Sequence, residues 1–344
     1  MTRVRTLIVD DSASIRATLN RMLSADPEIE VVGMAPEPFA AREMIKQLNP
    51  DVITLDVEMP GMDGLSFLER IMRLRPMPVV MCSTLTARGA AVTIEALRLG
   101  AVDYVTKPSG TPEDIERDAG TLCEKVKSAA RSVARAGPQR LPQQPSTGGG
   151  TSGKLIAIGS STGGVEALFS LLPTLPADCP PVLIVQHMPA AFTNSFAHRL
   201  DGDCRVKVVE AVDGMQVEPG TVYIAPGGER HMVLTGGVQG RIKLYQGDLV
   251  TGHRPSVDML FRSVAAIGPS AVGAILTGMG QDGAEGLLAM RRAGARTLGQ
   301  TRETCVVWGM PRAAKELGAV EKEVGLSAMP EAILKACREK VGSV

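Results

Sequence analysis

The sequence has no hydrophobic run long enough to span a membrane. A transmembrane helix needs about 20 predominantly apolar residues in succession, and no stretch of the 344-residue chain approaches that length. The first residues, MTRVRTLIVDDSAS, reach two aspartates before the apolar core of a signal peptide could form. We therefore expect a cytoplasmic protein with no segment inserted in a membrane.

An excess of charge of one sign is also missing. Lys and Arg number 37 and Asp and Glu number 37, so the formal net charge is zero. A nucleic-acid-binding domain typically has a strongly basic surface, and the second half of the chain shows neither a basic recognition helix nor a compact helix-turn-helix pattern. These absences argue against a DNA-binding output domain, and we expect no nucleic-acid partner.

Cysteine and histidine are too few and too scattered to form a zinc site. The six cysteines include no C-x-x-C pair, and no histidine pattern typical of zinc ligands lies near them. We interpret the cysteines as reduced thiols with mostly structural roles.

What the sequence does contain is two α/β patterns on either side of a segment that cannot form a core. At 344 residues the chain is long enough for two domains of ordinary size. Residues 135–154 are rich in Gly, Pro, Gln and Ser, a composition typical of a linker. We expect a first domain at 1–125, a flexible linker at 126–152 and a second domain at 153–344.

Both halves alternate β-branched runs with amphipathic stretches. The first half contains the runs TLIVD, IEVVGMA, DVITLD, PVVMCS and DYVTK, which predict a parallel sheet with helices on both faces. The second half contains KLIAIGSS, PVLIVQHMP and AVGAILTGMG, interrupted by a glycine-rich β-like section at 219–245. We therefore predict a second α/β domain, with a doubly wound parallel sheet and a β-hairpin section.

Polar residues end or follow the apolar runs of the first half: Asp10, Asp11, Asp56, Ser83 and Lys107. Ligands of a parallel sheet bind at the carboxyl ends of its strands, so these side chains should meet at one edge. Three carboxylates there suit Mg²⁺, which binds a few carboxylates together with water and a phosphate oxygen. Asp10 and Asp11 by themselves could equally cap a helix that begins near Ser12.

The motifs VDDS, TLDVEMPGMDG, the Ser83-Thr84 pair and YVTKP resemble the receiver domain of two-component response regulators. The resemblance covers roughly residues 4–125. It implies a flavodoxin-like (βα)5 fold in which Asp56 accepts a phosphoryl group from a histidine kinase.

The same resemblance implies roles for the neighbouring residues. It implies that Mg²⁺ is bound by the carboxylates of Asp10, Asp11 and Asp56 and by the main-chain carbonyl of Glu58. Lys107 would bind the phosphoryl oxygens. Ser83 and Tyr104 would be the hydroxyl and aromatic positions that switch when the domain is phosphorylated.

The second half contains a serine in a position typical of a nucleophile. Residues 159–163 are GSSTG and match G-x-S-x-G, whose glycines permit a sharp strand-to-helix turn that exposes the central hydroxyl. Ser161 is therefore the candidate nucleophile. A glycine-rich turn could instead hold a phosphate or a dinucleotide, but this loop has neither G-x-G-x-x-G nor G-x-x-x-x-G-K-[ST].

The general base must come from one of the chain's four histidines: His187, His198, His231 and His253. His187 follows the run PVLIVQ, so it should lie at the same sheet edge as Ser161. His253, with Asp258 as its partner, is the competing base. His198 falls in a predicted helix. His231 lies in the β-like section, where it could contact substrate or end a turn.

An acid that orients the histidine should also follow a strand, and Asp282 does so after AVGAILTGMG. The glycines before it would leave main-chain amides free to stabilise an oxyanion. A helix cap would explain the same position. The order Ser, His, Asp differs from that of the usual α/β-hydrolases, so the serine motif alone does not assign that fold.

The segments IGSSTGG, QHMP, YIAPG, HRPSVD, ILTGMGQDGAEG and CVVWGMPR resemble the catalytic domain of the chemotaxis response-regulator protein-glutamate methylesterases, over essentially all of 153–344. The resemblance implies that Ser161, His187 and Asp282 form a catalytic triad and that the Met279 amide donates to the oxyanion. Thr162 and the HRPSVD segment would shape the site.

This second resemblance also implies the reaction. The expected substrates are glutamate γ-methyl esters of methyl-accepting chemoreceptors, with methanol as a product, and receptor glutamines would be deamidated by the same chemistry. The hydrolase site needs no cofactor. Two alternatives stay open: a non-catalytic adaptor controlled by the receiver, and a methylesterase that acts in a pathway outside chemotaxis.

Overall fold

The structure is a computed structural model, and it describes residues 3–59, 63–84, 86–108, 111–132 and 153–339. The chain divides into two compact units on either side of residue 138. Most of the expected linker, residues 133–152, lies outside the described residues.

The first unit alternates strands and helices along its whole length: β1 (Val4–Val9), α1 (Ala13–Ser24), β2 (Ile29–Ala35), α2 (Pro38–Leu48), β3 (Val52–Asp56), α3 (Gly64–Leu74), β4 (Val79–Ser83), α4 (Ala87–Arg98), β5 (Asp103–Thr106) and α5 (Pro112–Ala130). All pairs in its sheet are parallel, in the order β2-β1-β3-β4-β5. This is the flavodoxin-like order, and the predicted fold of the first domain is confirmed.

Short local signals explain where its helices begin and which faces they bury. Asp63 caps α3, because its side chain accepts a hydrogen bond from the Ser66 amide at 2.7 Å. The apolar residues of α3 repeat at helical spacing, and Phe67 and Ile71 are among its buried residues. Strands β3 and β4 are buried at every residue, as expected for the centre of a parallel sheet.

Helix α5 extends past the boundary expected for the first domain. It ends at Ala130, and Val126 and Ala129 are fully buried. Residues 126–130, which the expected linker includes, are therefore helical and contribute to a core.

The second unit also alternates, with one antiparallel insertion: β6 (Leu155–Ser160), α6 (Gly164–Leu171), β7 (Val182–Gln186), α7 (Ala190–Asp203), β8 (Lys207–Glu210), β9 (Thr221–Ile224), β10 (Arg230–Thr235), β11 (Arg241–Gln246), α8 (Val257–Ala265), β12 (Ala271–Ile275), α9 (Ala284–Arg292), β13 (Arg296–Gln300), α10 (Met310–Glu316), β14 (Lys322–Val324) and α11 (Met329–Arg338). Its parallel sheet has the order β14-β13-β12-β6-β7-β9-β8.

Strands β10 and β11 form the separate antiparallel hairpin. The predicted parallel sheet with a hairpin section is confirmed. The β-like section at 219–245 nevertheless divides between two sheets, because β9 pairs with β7 and β8 in the large one.

The three central strands of this sheet bring distant parts of the chain to one edge. Strand β6 lies between β12 and β7, and all three are buried throughout. Ser160 is in register with Gln186, so the residues that follow β6 and β7 are neighbours. In the part of the chain that the structure describes, no helix is both long and apolar enough to cross a bilayer.

Candidate functional sites

Two buried aspartates and a lysine meet at the carboxyl edge of the first sheet. Asp10 follows β1 and Asp56 ends β3, the neighbouring strand, and both side chains are almost completely buried. Lys107, which follows β5, places Nζ 3.0 Å from Asp10 Oδ2 and 2.7 Å from Asp56 Oδ2. The structure thus brings together residues that are almost a hundred positions apart.

Asp11 completes a group of three carboxylates at this edge. One carboxylate oxygen from each of Asp10, Asp11 and Asp56 lies within 4.8 Å of the others. Ser12, rather than either neighbouring aspartate, caps α1, because its hydroxyl accepts from the Ile15 amide. Asp10 instead accepts from the Ser12 amide through Oδ1 at 2.9 Å, and its Oδ2 faces the lysine.

The charges of the cluster influence one another strongly. Burial is the largest effect on Asp56 and raises the pKa of its carboxyl, the negative charge of Asp10 adds to this, and the hydrogen bond with Lys107 opposes it. Burial disfavours the Lys107 ammonium, but hydrogen bonds with the two carboxylates raise the pKa of the lysine. A cation at this edge therefore stabilises two carboxylates that would otherwise repel each other.

The remaining predicted residues of the first site lie around the cluster. The Glu58 amide donates to Asp56 Oδ1 at 3.1 Å, which places the Glu58 main chain beside the carboxylate. Ser83 ends β4 and is buried. Tyr104 on β5 is also buried, which raises the pKa of its hydroxyl well above the usual value, and Lys125 Nζ lies 4.7 Å from its ring centroid.

In the second unit, Ser161 lies on the turn between β6 and α6. Its amide donates to the Thr277 carbonyl at 3.0 Å, and its carbonyl accepts from the Gly164 amide at 2.7 Å. Gly163 has a φ of +77°, and a Cβ there would lie 2.5 Å from the Val306 side chain. The turn therefore requires glycine at this position, for both conformation and space.

Gln186 connects the two strand ends beside Ser161. Its Oε1 accepts from the Ser160 hydroxyl at 2.7 Å, and its Nε2 donates to the carbonyls of Ser161 at 2.9 Å and His187 at 3.1 Å. Sequence analysis did not select this residue. The one signal for it was its position at the end of an apolar run, directly before a candidate base.

His187 and Asp282 form a buried pair at the same edge. His187 Nε2 lies 2.8 Å from Asp282 Oδ2, the histidine side chain is 8% exposed and the aspartate is fully buried. A carboxylate accepts, so Nε2 carries the proton and Nδ1 has the free lone pair. Nδ1 is buried and has no hydrogen-bond partner, so the ring has one nitrogen available to accept a proton.

The Asp282 carboxylate accepts from three further donors besides His187. The Ser256 hydroxyl donates to Oδ1 at 2.7 Å, and the amides of Val257 and Asp258 donate at 2.7 and 3.1 Å. Burial by itself would raise the pKa of Asp282, but the hydrogen bonds with His187, Ser256 and Val257 outweigh it and hold the pKa well below the usual range. Asp282 is therefore ionised, and it also caps α8, the helix that begins at Val257.

The other three histidines occupy different environments. His198 is exposed on α7. His231 is buried and hydrogen-bonded through both nitrogens, to the Asp248 carbonyl and the Ser256 amide. His253 stacks on His187 with 3.7 Å between ring centroids and an angle of 11°.

Asp258, considered above as a partner of His253, belongs to a different contact. Its Oδ1 accepts from the Gly286 amide at the start of α9, at 2.7 Å. At this edge the structure joins Asp282 to His187.

Two buried cysteines of the second unit are poor candidates for a nucleophile. All six are free. Burial raises the pKa of Cys179 and Cys337 to about 12, so these thiols stay protonated and unreactive near neutral pH.

Met279 lies in the glycine-rich loop that follows β12. This loop is tied to the segment before α10, since the Gly278 amide donates to the Val307 carbonyl at 3.0 Å and the Gly278 carbonyl accepts from the Met310 amide at 2.8 Å. A cavity of about 410 Å³ opens beside it, lined in part by Met279 and Trp308. The loop that contains Met279 therefore forms part of the wall of this cavity.

Comparison with known proteins assigns both units to families. The family model described as CheB methylesterase matches residues 156–333, and the response regulator receiver domain model matches residues 6–117. The chain belongs to the CheB methylesterase family. This membership agrees with the family resemblance stated from the sequence.

Relatives in the CheB family are similar to this chain over nearly its full length. A Caulobacter vibrioides protein named protein-glutamate methylesterase/protein-glutamine glutaminase 1 is 57% identical over 97% of this chain and 98% of its own. A Rhizobium etli protein named protein-glutamate methylesterase/protein-glutamine glutaminase is 56% identical over 96% of each chain. The similarity therefore extends over both units of this chain.

A solved structure is similar to the second unit. The CheB methylesterase catalytic domain of Thermotoga maritima is 40% identical and matches with a TM-score of 0.52, covering 54% of this chain and 98% of that domain. The similarity supports the catalytic domain as a separate folding unit of the CheB architecture.

Proposed function

We propose that this chain is a phosphorylation-activated protein-glutamate methylesterase that hydrolyses glutamate γ-methyl esters on chemoreceptors and releases methanol. The observation that carries the proposal is the buried pair of Asp282 and His187, whose free Nδ1 lies at the same sheet edge as Ser161. The names of the full-length relatives supply the substrate class. The same names include protein-glutamine glutaminase, and an acyl-transfer site of this kind also accepts a primary amide.

The proposed mechanism begins at Ser161. His187 Nδ1 takes the hydroxyl proton while Ser161 Oγ attacks the carbonyl carbon of the ester, which forms a tetrahedral oxyanion. The imidazolium then returns the proton to the departing methoxide, methanol leaves, and an ester of Ser161 remains. Water, activated by the same nitrogen, hydrolyses this ester and regenerates the serine, with glutamate as the product.

Asp282 and Met279 have supporting roles in this scheme. Asp282 holds the proton on His187 Nε2 and stabilises the imidazolium that forms at each proton transfer. The Met279 amide is the proposed donor to the oxyanion, because it directly follows Gly278, where an added Cβ would lie 2.9 Å from the Ser161 Cβ. Both roles are inferred from the positions of these residues and from the general chemistry of acyl transfer, in which Ser161 is the attacking group.

The first unit would control the second through phosphorylation of Asp56 by a histidine kinase. Mg²⁺ fits this site, since Asp10 Oδ2 and Asp56 Oδ2 are buried carboxylate oxygens, and Lys107 is the one cation close to them among the residues that the structure describes. The proposed ligands are the three carboxylates and the main-chain carbonyl of Glu58. When bound, the metal would neutralise charge on the phosphoryl group and on the aspartates, and the Lys107 ammonium would bind the phosphoryl oxygens.

The domain limits expected from the sequence are a receiver at 1–125, a linker at 126–152 and a catalytic domain at 153–344. Two observations bear on the first limit: α5 continues to Ala130, and the chain divides into units near residue 138. The linker proper is therefore proposed to begin after the helix.

The proposal is tested by methanol release from methylated receptor membranes, with and without Mg²⁺ and a small acyl-phosphate donor. Wild type, Asp56→Ala, Ser161→Ala and the matched control Ser170→Ala would be compared. We expect stimulated release in wild type and Ser170→Ala, basal release that the phosphodonor does not stimulate in Asp56→Ala, and no release in Ser161→Ala.

Two outcomes would contradict parts of the proposal. Release that persists in Ser161→Ala would exclude the serine as nucleophile. Absence of release from folded, phosphorylated wild type would exclude these receptors as substrate and favour the adaptor or a different pathway.

A further inference from the structure

A second histidine, His231, connects to the candidate triad through buried hydrogen bonds. The Ser256 amide donates to His231 Nδ1 at 3.2 Å, and the Ser256 hydroxyl donates to Asp282 Oδ1 at 2.7 Å. Asp282 in turn holds His187. His231, Ser256 and Asp282 are all at most 1% exposed, so this connection runs through the interior of the second unit.

The partners of His231 determine its protonation state. An amide N–H can only donate, so Nδ1 must be unprotonated, and the Asp248 carbonyl, 2.8 Å from Nε2, can only accept. His231 is therefore a neutral imidazole with its proton on Nε2. Gly247 packs closely against the His231 ring, since a Cβ added to this glycine would lie only 3.1 Å from His231 Cδ2. This packing also restricts the orientation of the ring.

The position of Ser256 explains why its orientation matters. Ser256 precedes α8, but its hydroxyl makes no cap to its own helix and is directed to Asp282 instead. The carboxylate then accepts from the next two amides of the same segment. A shift of the Ser256 main chain would therefore alter three of the donors that hold Asp282 in place.

We propose that His231 is a positioning residue for ester hydrolysis, which acts through Ser256 and Asp282 to keep the proton on His187 Nε2 and Nδ1 free as the base. This inference rests on the proposed function above. His231 is buried and forms part of hairpin strand β10, so it acts without contacting substrate. Loss of the hydrogen bond from the Ser256 amide to His231 should lower kcat and leave KM nearly unchanged.

Two substitutions separate the two hydrogen bonds of His231. His231→Asn can place an amide oxygen at the position of Nδ1 and keep the acceptor for Ser256, whereas His231→Gln can place an amide nitrogen at the position of Nε2 and keep the donor to Asp248. The exposed His198→Gln is the matched control. All variants are made in the full chain, and thermal unfolding verifies that each is folded.

Each variant is characterised by three measurements. The first is kcat and KM for methanol release from methylated receptor membranes. The second is the rate at which a fluorophosphonate probe labels Ser161. The third is histidine-selective ¹⁵N NMR, which identifies the nitrogen of His187 that carries the proton.

We expect His231→Gln to lower kcat and the labelling rate by about ten- to a hundredfold, which is the effect expected when a catalytic group is misplaced. In this variant His187 should no longer carry its proton on Nε2 alone. His231→Asn should recover most of both rates and of the NMR signal, and His198→Gln should match wild type. The inference is overturned if His231→Gln leaves the rates and the His187 tautomer unchanged, or if both His231 variants lose activity equally and only in proportion to their unfolding.

The labelling and NMR results do not depend on the receptor substrate. If wild type releases no methanol but the labelling rates and tautomers follow the expected pattern, the proposed substrate is wrong and the role of His231 stands. If methanol release behaves as proposed but the tautomer is insensitive to His231, the positioning role is wrong and the proposed function stands.

Discussion

At the scale of single residues, Asp282 combines two tasks in one carboxylate. It holds the His187 ring and also accepts the amides of Val257 and Asp258 at the start of α8. Helix capping and catalytic orientation were competing explanations from the sequence. The structure accommodates both, because the aspartate caps a helix other than the one that follows it.

The ionisation of Asp282 predicts how the second unit responds to acid. Its pKa is lower in the folded protein than in the unfolded chain, where it is about 3.9. The ionised carboxylate therefore contributes stability above that value, and the contribution decreases as the pH falls toward the lower folded pKa. Asp282→Asn removes this contribution.

We expect the free energy of unfolding of Asp282→Asn to fall below that of wild type near neutral pH, and the difference to shrink below pH about 4. Urea unfolding followed by fluorescence of Trp308, the chain's one tryptophan, reports on the second unit. A difference between the two proteins that stays constant from pH 7 to the acid limit would contradict this account.

At the scale of elements, close approaches between backbone segments determine where the functional loops lie. A Cβ on Gly64, the first residue of α3, would lie 2.0 Å from the Asp56 carbonyl oxygen. Helix α3 can therefore begin this close to the end of β3 only with glycine. Gly120, in the middle of α5, has open space around it and no such requirement.

This contrast predicts opposite effects of one substitution at two sites in the first unit. Gly64→Ala should destabilise β3 and α3 by about 1–3 kcal/mol, because backbone must move to admit the methyl group, and it should slow phosphorylation of Asp56. Gly120→Ala should stabilise α5 by about 0.5–1 kcal/mol, since alanine loses less conformational entropy in a helix.

Hydrogen exchange of the full chain would measure both changes by segment. Faster exchange in β3 and α3 for the first variant and slower exchange in α5 for the second are the expected results. Equal effects of the two substitutions would show that the contact with Asp56 does not restrict position 64.

At the scale of the whole molecule, each unit has its own sheet and its own buried core. Residues 153–344 should therefore fold without the first unit. If the unphosphorylated receiver restrains the esterase, deleting residues 1–150 should raise basal methanol release and remove the response to phosphodonor. A well-folded fragment with unchanged or lower activity than unphosphorylated wild type would argue against restraint.

The sequence by itself determined both folds and most of the candidate residues. Parallel strands bring their carboxyl ends to one edge, so a polar residue that follows an apolar run can be placed from the pattern alone. That argument selected Asp56, Ser161, His187 and Asp282 without coordinates. It could not detect β14, because three residues at a sheet edge carry too little pattern.

Only the tertiary structure decided which groups contact one another. Ser256 and Asp282 are 26 residues apart, and His231 and Ser256 are 25 apart, so their hydrogen bonds depend on how the hairpin and α8 pack beside the sheet. The structure likewise decided that Asp282 pairs with Nε2 of His187 and leaves Nδ1 without a hydrogen-bond partner. A sequence pattern records the direction of a strand, whereas the choice between two ring nitrogens depends on distances of a few ångströms between separate elements.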